Sequence, residues 1–237
     1  MERPLERRAS VRTAVIWDAC MARLELAPGQ TVVDIGGGTG GFAVRVAELG
    51  HQVTVVDPSP DALAALARRA DEQGVADRVA GQQGDLASLA ELVPDGSADL
   101  VLCHEVLGLV EDPVQALRTI SATLRPSGAL SLLVSQRHAA VLARAMAGHF
   151  TQARLTLDGE GSGERRFTSE ELGDLLAEAG FTVEAVHGIR VFADLVPSTL
   201  LDLEPGAVSG LLDLERAVAV RPEYRVLAAQ LHVLAIA

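Results

Sequence analysis

Val32-Val33-Asp34-Ile35-Gly36-Gly37-Gly38-Thr39-Gly40-Gly41 is the stretch that decides the fold of this 237-residue chain. The apolar run 31–35 predicts a short strand, and residues 42–49 after the glycines predict a helix. A second strand is predicted over 52–56, ending at Asp57-Pro58. Together these elements form a βαβ unit, in which a glycine-rich turn lets the backbone approach a ligand and adopt positive φ.

The glycine loop fits two kinds of cofactor. Gly36, Gly38 and Gly41 have the spacing of the dinucleotide fingerprint, and Asp57 ends the next strand, where an acid holds ribose hydroxyls. A nicotinamide dinucleotide places a pyrophosphate at the start of the helix, whereas S-adenosylmethionine presents a sulfonium and an amino acid moiety. Asp34, at the end of the first strand, would repel phosphates but can hold the methionine ammonium. The loop therefore favours S-adenosylmethionine.

Strand-like and helix-like patterns alternate over most of the remaining chain. Strands are predicted over residues 77–82, 98–103, 129–135, 181–192 and 225–237. Helices are predicted over 11–26, 60–73, 86–92, 113–124, 138–147, 169–179 and 208–219. Arg125-Pro126-Ser127-Gly128 predicts a turn, and 148–166 is rich in glycine and charge. The alternation predicts an α/β fold with a doubly wound, mainly parallel seven-stranded sheet, whose ligand lies at the carboxyl ends of the first strands.

The composition narrows the function further. Hydrophobic residues make up 49% of the chain, enough for the core of a single domain spanning 1–237, with residues 137–166 as a lid. All 20 basic residues other than histidine are arginines, so chemistry that needs a lysine, such as a Walker A loop or a pyridoxal Schiff base, is excluded. A net charge of −12 and an aromatic content of 3% disfavour broad attraction to polyanions and base stacking.

Other sequence features bear on location and metals. Cys20 and Cys103 lie in apolar surroundings without CxxC spacing, as buried thiols of a reducing compartment do. We find no apolar run of about 18 residues for a membrane span, and therefore expect a cytoplasmic protein without a membrane partner. His104-Glu105 begins an HExxH-like string, but Gly108 stands at the second histidine position, so we expect no metal.

Five motifs together, in order and spacing, make the chain resemble the class I S-adenosylmethionine-dependent methyltransferases. They are the loop 32–40, Val55-Val56-Asp57, Gly84-Asp85, the run 99–104, and Leu124-Arg125-Pro126-Ser127-Gly128 before a strand. The resemblance implies that Asp57 binds the ribose and that Asp85 meets the adenine. It also implies that the last helix and strand form an antiparallel hairpin at the sheet edge.

A narrower resemblance covers nearly the whole chain. Arg12-Thr13-Ala14-Val15-Ile16-Trp17, Ala147-Gly148-His149-Phe150, the run 188–194 and Leu231-His232-Val233 resemble the bacterial tRNA carboxymethoxyuridine methyltransferases, which esterify the carboxylate of a modified wobble uridine. The resemblance implies a cofactor site built by Arg12, Gly36, Gly37, Asp57, Gly84, Asp85 and His104, alongside Asp34 and Gly38 of the loop. This chain differs from that family in the segment 157–166, which is short and mixed in charge, and in Gly108 and Gln136, which stand at aromatic positions.

The acceptor has two alternatives. A carboxylate is already ionised at neutral pH, so its methylation needs no strong general base but does need a cation to position it, for which Arg137 and Arg190 are candidates. The net acidity and few aromatics favour instead a small-molecule acceptor methylated at oxygen, nitrogen or a carboxylate beneath the 137–166 segment. From another class, an NAD-binding dehydrogenase or a noncatalytic cofactor-binding module also fits the loop. Oligomeric state is not encoded in any of these patterns.

Overall fold

The computed structural model describes residues 4–160, 163–203 and 206–237, apart from the side chains of residues 4–12, 198, 202 and 203. The seven strands of one sheet are β1 (Thr31–Ile35), β2 (Gln52–Asp57), β3 (Val79–Gln83), β4 (Ala98–His104), β5 (Leu124–Ser135), β6 (Thr182–Ile189) and β7 (Gln230–Ile236). Their order is β3-β2-β1-β4-β5-β7-β6. Within this described sheet β7 alone runs opposite to the other six strands, which confirms the predicted fold class with its antiparallel terminal strand. The hairpin at the sheet edge consists of β6 and β7, and not of the last helix and strand.

Helices cover both faces of the sheet. They are α1 (Pro4–Leu24), α2 (Ala43–Glu48), α3 (Pro60–Glu72), α4 (Leu89–Leu92), α5 (Pro113–Thr123), α6 (Arg137–Met146), α7 (Phe150–Leu157), α8 (Ser169–Glu178), α9 (Ser198–Leu203), α10 (Ala207–Ala219) and α11 (Pro222–Arg225). One core lies between the sheet and α1, α2 and α3, and the other lies between the sheet and α4, α5 and α8. Because both faces are covered, β1 and β4 are apolar runs without alternation.

Helix caps explain several of the element boundaries. Ser59 accepts a hydrogen bond from the Ala62 amide and precedes Pro60 at the first position of α3. Thr168 and Glu171 form a reciprocal capping box at the start of α8. Both arrangements satisfy backbone amides that the first helical turn leaves without partners, so both helices begin where their sequences predict.

Several elements differ from the sequence prediction. The strand predicted over 181–192 ends at Ile189, because Arg190 takes a left-handed conformation with φ of 60°. The strand predicted over 225–237 begins only at Gln230, after the short helix α11. Helices α7 and α9 were missed, and α1 begins at Pro4 rather than residue 11 because its first turns lack an apolar period. Residues 125–128 form an irregularity within β5, where the pairing jumps from Ala98–Leu124 to Leu100–Ala129.

The chain order places a crevice between β1 and β4. The connections from these two adjacent strands lead to opposite sides, toward β2 and toward β5. In open α/β sheets, ligands bind at such a switch point, outside the carboxyl ends of the strands. The glycine loop follows β1 and therefore lies at this point.

Candidate active site

The glycine loop folds tightly over the end of β1. Gly36 has φ of 69°, and its amide donates to the Val56 carbonyl of β2 at 2.8 Å. A Cβ atom on Gly36 would lie 2.5 Å from Val106 Cγ2, and one on Gly37 would lie 2.5 Å from Asp34 Oδ2. Both contacts are closer than a Cβ atom tolerates, so packing favours glycine at 36 and 37, and the positive φ favours it at 36 as well.

Two carboxylates lie under and beside this loop. Asp57 accepts hydrogen bonds from the amides of Gly38 and Ser59, each at 2.9 Å, which ties the loop to the end of β2. Asp34 is only 4% exposed. Burial, reinforced by the negative charge of Asp57, raises the pKa of Asp34 to about 7. A loop with two such acids suits a cationic ligand and opposes a pyrophosphate.

A cavity of about 880 Å³ opens at the switch point. Its walls come from the carboxyl ends of β1, β2 and β4, from the turn after β3, and from the first turns of α5. Asp112 caps α5 by accepting from the Gln115 amide and lines the rim. The volume and mixed apolar and polar lining are typical of small-molecule cofactor sites.

The structure brings most of the predicted cofactor residues to this cavity. Four of them line it directly: Gly36, Asp57, Asp85 and His104. Asp34, Gly37 and Gly38 build the loop behind that lining. Arg12 belongs to α1, and its side chain lies outside the described residues.

Gly84 and Asp85 shape the turn after β3. A Cβ on Gly84 would lie 2.7 Å from Ser88 Oγ and would also collide with Leu92, so a larger residue here would displace both side chains. Asp85 is exposed and accepts hydrogen bonds through Oδ1 from the amides of Ala87 and Ser88. The hydrogen bonds from Ser88 hold the pKa of Asp85 below its ordinary value, so the carboxylate is charged where it meets the cavity.

His104 begins a chain of polar side chains that runs across the sheet, fully buried at Ser131 and His232. Its Nε2 lies 2.9 Å from Ser131 Oγ, Ser131 Oγ lies 2.8 Å from His232 Nε2, and His232 Nδ1 lies 3.2 Å from His187 Nδ1. The four residues belong to β4, β5, β7 and β6, which are consecutive in the sheet. Burial lowers the pKa of His232 well below its ordinary value, so this ring is neutral at pH 7.

The contact with Ser131 holds the His104 ring at the end of β4, where it lines the cavity. The serine hydroxyl can donate to or accept from His104 Nε2, so it positions the ring with either nitrogen protonated. Sequence reasoning missed Ser131 and His187 and assigned no role to His232, since the three lie far apart in the chain. The only available signal was their placement in strands that otherwise read as apolar.

Glu105 is a second residue that sequence reasoning missed. It lines the cavity directly after β4 and has φ of 62°, a conformation that costs energy for any residue except glycine. Its Oε2 accepts from Ser135 Oγ at 3.3 Å, which joins the ends of β4 and β5. Strain of this kind concentrates at ligand sites.

The two predicted substrate arginines lie outside the lining of the cavity. Arg190 forms a bidentate ion pair with Asp194, with Nη2 2.6 Å from both carboxylate oxygens. The buried Glu215 accepts the amides of residues 191, 192 and 193, so it holds the segment that carries this ion pair. Arg137 instead pairs with Glu171 at 2.7 Å and lines a second cleft.

The segment predicted as a lid joins the rim of the cavity. Phe167 is buried, and its amide donates to Ser135 at the end of β5. The Arg165 amide donates to the Gly108 carbonyl at 2.8 Å. A Cβ on Gly108 would lie 2.7 Å from the Arg165 carbonyl oxygen and 2.8 Å from Glu164 Cγ. Glycine at 108 therefore leaves the room that the 164–166 segment fills. That residues 137–166 move as a lid stays a prediction.

Comparison with known proteins identifies the chemistry. A family model described as a methyltransferase domain matches residues 10–186. The tRNA 5-carboxymethoxyuridine methyltransferase of Escherichia coli (strain K12) is 31% identical over 96% of this chain and 88% of its own length. The chain belongs to the class I S-adenosylmethionine-dependent methyltransferases. A ubiquinone biosynthesis O-methyltransferase of Xanthomonas euvesicatoria pv. vesicatoria (strain 85-10) is 35% identical over 70% of this methyltransferase and 68% of its own length.

Solved structures share the fold of this methyltransferase. An S-adenosylmethionine-dependent methyltransferase from Mesorhizobium loti has a TM-score of 0.65 and 21% identity over 96% of this chain and all of its own. Geranyl diphosphate C-methyltransferase from Streptomyces coelicolor A3(2), solved with S-adenosyl-L-homocysteine, has a TM-score of 0.63 and 18% identity over 92% of this chain and 74% of its own.

These findings confirm the predicted family, enzyme class and cofactor. The alternatives of a dehydrogenase and a noncatalytic module are set aside by the methyltransferase family match. In the described part of the chain, no helix is both long and apolar enough to cross a bilayer. Within the same residues, no group of three or more histidines, cysteines and acids is arranged to hold a metal ion.

Proposed function

We propose that this methyltransferase esterifies the carboxylate of 5-carboxymethoxyuridine in tRNA. The observation that carries the proposal is the extent of the match to the Escherichia coli tRNA enzyme. A match over 96% of the chain continues past residue 186, where the methyltransferase domain model ends, into the segment with Arg190 and Glu215. The match to the ubiquinone enzyme covers only 70%. Arg190, our candidate for holding the acceptor, lies in the part of the chain beyond the shared domain.

The residues of the cavity fit the cofactor. Gly36 and Gly37 leave no room for a Cβ atom, Asp57 offers carboxylate oxygens at the cavity wall, and Asp34 supplies negative charge beneath the loop. We assign Asp57 to the ribose hydroxyls, Asp34 to the methionine ammonium and Asp85 to the adenine side. When bound, S-adenosylmethionine supplies a methyl group on a sulfonium, ready for in-line displacement.

The protein contributes alignment and exclusion of water to such a reaction. An acceptor carboxylate has a pKa near 4, so it is ionised at neutral pH and no side chain has to remove a proton. His104, oriented by Ser131, and the strained Glu105 shape the wall between cofactor and acceptor. We assign residues 137–166 to covering the acceptor, in a single domain that spans residues 1–237.

Arg190 is our candidate for holding the acceptor carboxylate. It lies at the end of β6, on the same edge of the sheet as the ends of β4 and β5. Its guanidinium already binds the Asp194 carboxylate bidentately, which is the geometry that a substrate carboxylate needs. In this role, Arg190 would exchange Asp194 for the acceptor.

The test is methyl transfer from labelled S-adenosylmethionine to total tRNA that contains unesterified carboxymethoxyuridine, with nucleosides analysed by mass spectrometry. The wild-type protein should form the methyl ester. Arg190→Ala should abolish the ester, whereas Asp194→Ala should retain it, because it frees the guanidinium. If both variants lose activity together, the ion pair is structural and the clamp assignment is wrong.

A small-molecule acceptor is the second candidate, favoured by the ubiquinone O-methyltransferase match and by the net charge of −12. If S-adenosylhomocysteine binds well but no ester forms on tRNA, the tRNA assignment fails. Phenolic and carboxylate metabolites are then the acceptors to screen. Because tRNA is cytoplasmic, and Cys20 and Cys103 are free thiols, we place the proposed reaction in the cytoplasm.

A further inference from the structure

A second cleft, of about 310 Å³, lies apart from the cofactor cavity, between α6, α7 and the 163–166 segment. We call it the arginine cleft, because four arginines line it: Arg137, Arg144, Arg165 and Arg166. The rest of the lining consists of Thr156, Gly159, Glu160, Gly163 and Glu164. Arg137 and Arg144 are seven residues apart on α6 and therefore share one helix face. In a chain of net charge −12, such a cluster stands out as a positive island.

Backbone carbonyls orient most of these guanidinium groups. Arg144 Nη1 donates to the Ala140 carbonyl at 3.1 Å, and Arg137 Nη2 donates to the Arg166 carbonyl at 3.1 Å. Arg166 Nη1 lies 3.4 Å from the Glu164 carbonyl. Each contact uses one of the five N–H donors of a guanidinium, so donors remain to face the cleft.

Charge pairing leaves the cleft positive. Arg137 pairs with Glu171, whereas the ion pairs formed between described residues include none of Arg144, Arg165 and Arg166. Glu160 and Glu164 are the acids of the lining, against four arginines. Several planar guanidiniums around one small cleft match the oxygens of a phosphate, which arginine binds bidentately.

We propose that the arginine cleft binds a phosphate group of the methyl acceptor, and its assignment to a phosphodiester of tRNA rests on the proposed function. Arg165 connects this site with the cofactor cavity. Its amide bonds to Gly108, in the turn just after the cavity residue Val106, and its Nη2 lies 3.4 Å from the carbonyl of the rim residue Glu111. A phosphate held in the cleft therefore also steadies the rim over which the acceptor base enters.

The first measurement detects phosphate itself. Inorganic phosphate is titrated into ¹⁵N-arginine-labelled protein at constant ionic strength, and the side-chain Nε–Hε signals are followed. We expect saturable shifts of Arg144 and Arg166. The signal of Arg154, which lies on α7 with an 85% exposed side chain paired to Asp158, should stay in place. If no cleft arginine responds, or all arginines respond equally, the site does not exist.

The second measurement identifies the source of the phosphate. Binding of a labelled tRNA anticodon stem-loop is measured against salt for the double variant Arg144→Ala/Arg166→Ala and for the matched control Arg154→Ala. The double variant should bind about tenfold more weakly near 0.1 M salt. Its slope of log K against log salt should be about 1.5 shallower, as expected for two lost phosphate contacts. Unchanged S-adenosylhomocysteine affinity verifies that the double variant is folded.

The outcomes separate this site from the proposed function. If phosphate shifts the cleft arginines but both variants bind the stem-loop alike, the nucleic acid source is overturned and a phosphorylated small molecule is the ligand. If wild-type protein forms the tRNA ester while phosphate gives no shift and the double variant equals the control, the cleft proposal fails and the proposed function stands. If phosphate binds but wild-type protein forms no ester, the proposed function fails and the anion site stands.

Discussion

Asp34 gives the sharpest test of the cofactor site, because its burial has opposite consequences for stability and for binding. The carboxyl lies under the glycine loop, 4% exposed, and burial with the Asp57 charge raises its pKa to about 7 from an ordinary value of 3.8. Asp34→Asn keeps the shape and removes the titration. We expect the variant to be more stable than wild type above pH 7 and weaker in binding the cofactor, whose ammonium loses its charged partner.

The sign and size of the stability effect follow from proton linkage. Between pH 3.8 and about 7, the folded protein keeps the proton on Asp34 while the unfolded chain releases it. The free energy of unfolding therefore falls as pH rises through this window, and the loss is complete above pH 7. The full loss is about 4 kcal/mol, since each pKa unit is worth about 1.4 kcal/mol. About 2 kcal/mol of it accrues between pH 5.5 and pH 8.

The assay is urea unfolding followed by circular dichroism at pH 5.5 and pH 8, for wild type and Asp34→Asn. The advantage of the variant should grow by about 2 kcal/mol between the two pH values. Asp85→Asn is the control of opposite sign, because the pKa of Asp85 is lowered in the folded state. The Asp85 carboxylate therefore stabilises the fold at both pH values. This variant should be less stable than wild type by the same amount at pH 5.5 and at pH 8. An advantage of Asp34→Asn that does not change with pH would refute the burial argument.

Three further predictions address the loop, the rim and the histidine chain. Asp57→Ala should raise the Kd for S-adenosylhomocysteine at least 100-fold in calorimetry, and an unchanged Kd would mean that the ribose lies elsewhere. Gly108→Val should cost about 1–3 kcal/mol by overpacking and speed hydrogen exchange of amides 163–167, with no change in exchange if the segment is not held there. His232→Leu should destabilise by about 1–3 kcal/mol above pH 7, because Ser131 and His187 each lose a hydrogen-bond partner. That cost should shrink toward pH 5, because His232 stays neutral in the folded wild type while the unfolded wild-type chain gains a proton there, which lowers the stability of the wild type alone. A cost that does not change with pH would contradict the lowered pKa of His232.

Most of the fold could be predicted from local patterns. The strands beside the glycine loop are short apolar runs bounded by glycine or proline, so their limits agree with the structure to within one residue. Cap residues such as Ser59 and Thr168 fix helix starts for the same local reason. The boundaries of β6 and β7 were wrong because long-range contacts override propensity there. Glu215, from α10, turns the chain after Ile189 by capturing three amides, and no local pattern announces that.

In the candidate site, too, the residues of a local motif could be predicted and those joined only by long-range contacts could not. Asp34, Asp57 and the glycines were found because one continuous motif carries them. The chain from His104 through Ser131 and His232 to His187 was missed because it exists only once four strands are side by side. A buried histidine in an apolar strand shows that a polar partner must exist, but the partner's position is set by the register between strands.

The charges of the two clefts impose an order on the proposed reaction. Five carboxylates line the cofactor cavity: Asp57, Asp85, Glu105, Glu111 and Asp112. None of the described arginines lines it. An acceptor carboxylate is repelled from such a wall until the sulfonium and ammonium of the cofactor have been added to it. The arginine cleft, in contrast, attracts phosphates at any time. Cofactor should therefore bind first at the cavity, while the polyanion is held at a distance by its phosphates.

An acceptor stem-loop should bind more tightly with a cofactor analogue that carries an ammonium in place of the methylsulfonium than with the neutral thioether product. This preference should depend only weakly on salt, because charges held close together inside a cavity are screened much less than exposed, distant ones. Equal affinity in the two complexes would show that the acceptor carboxylate does not enter this cavity.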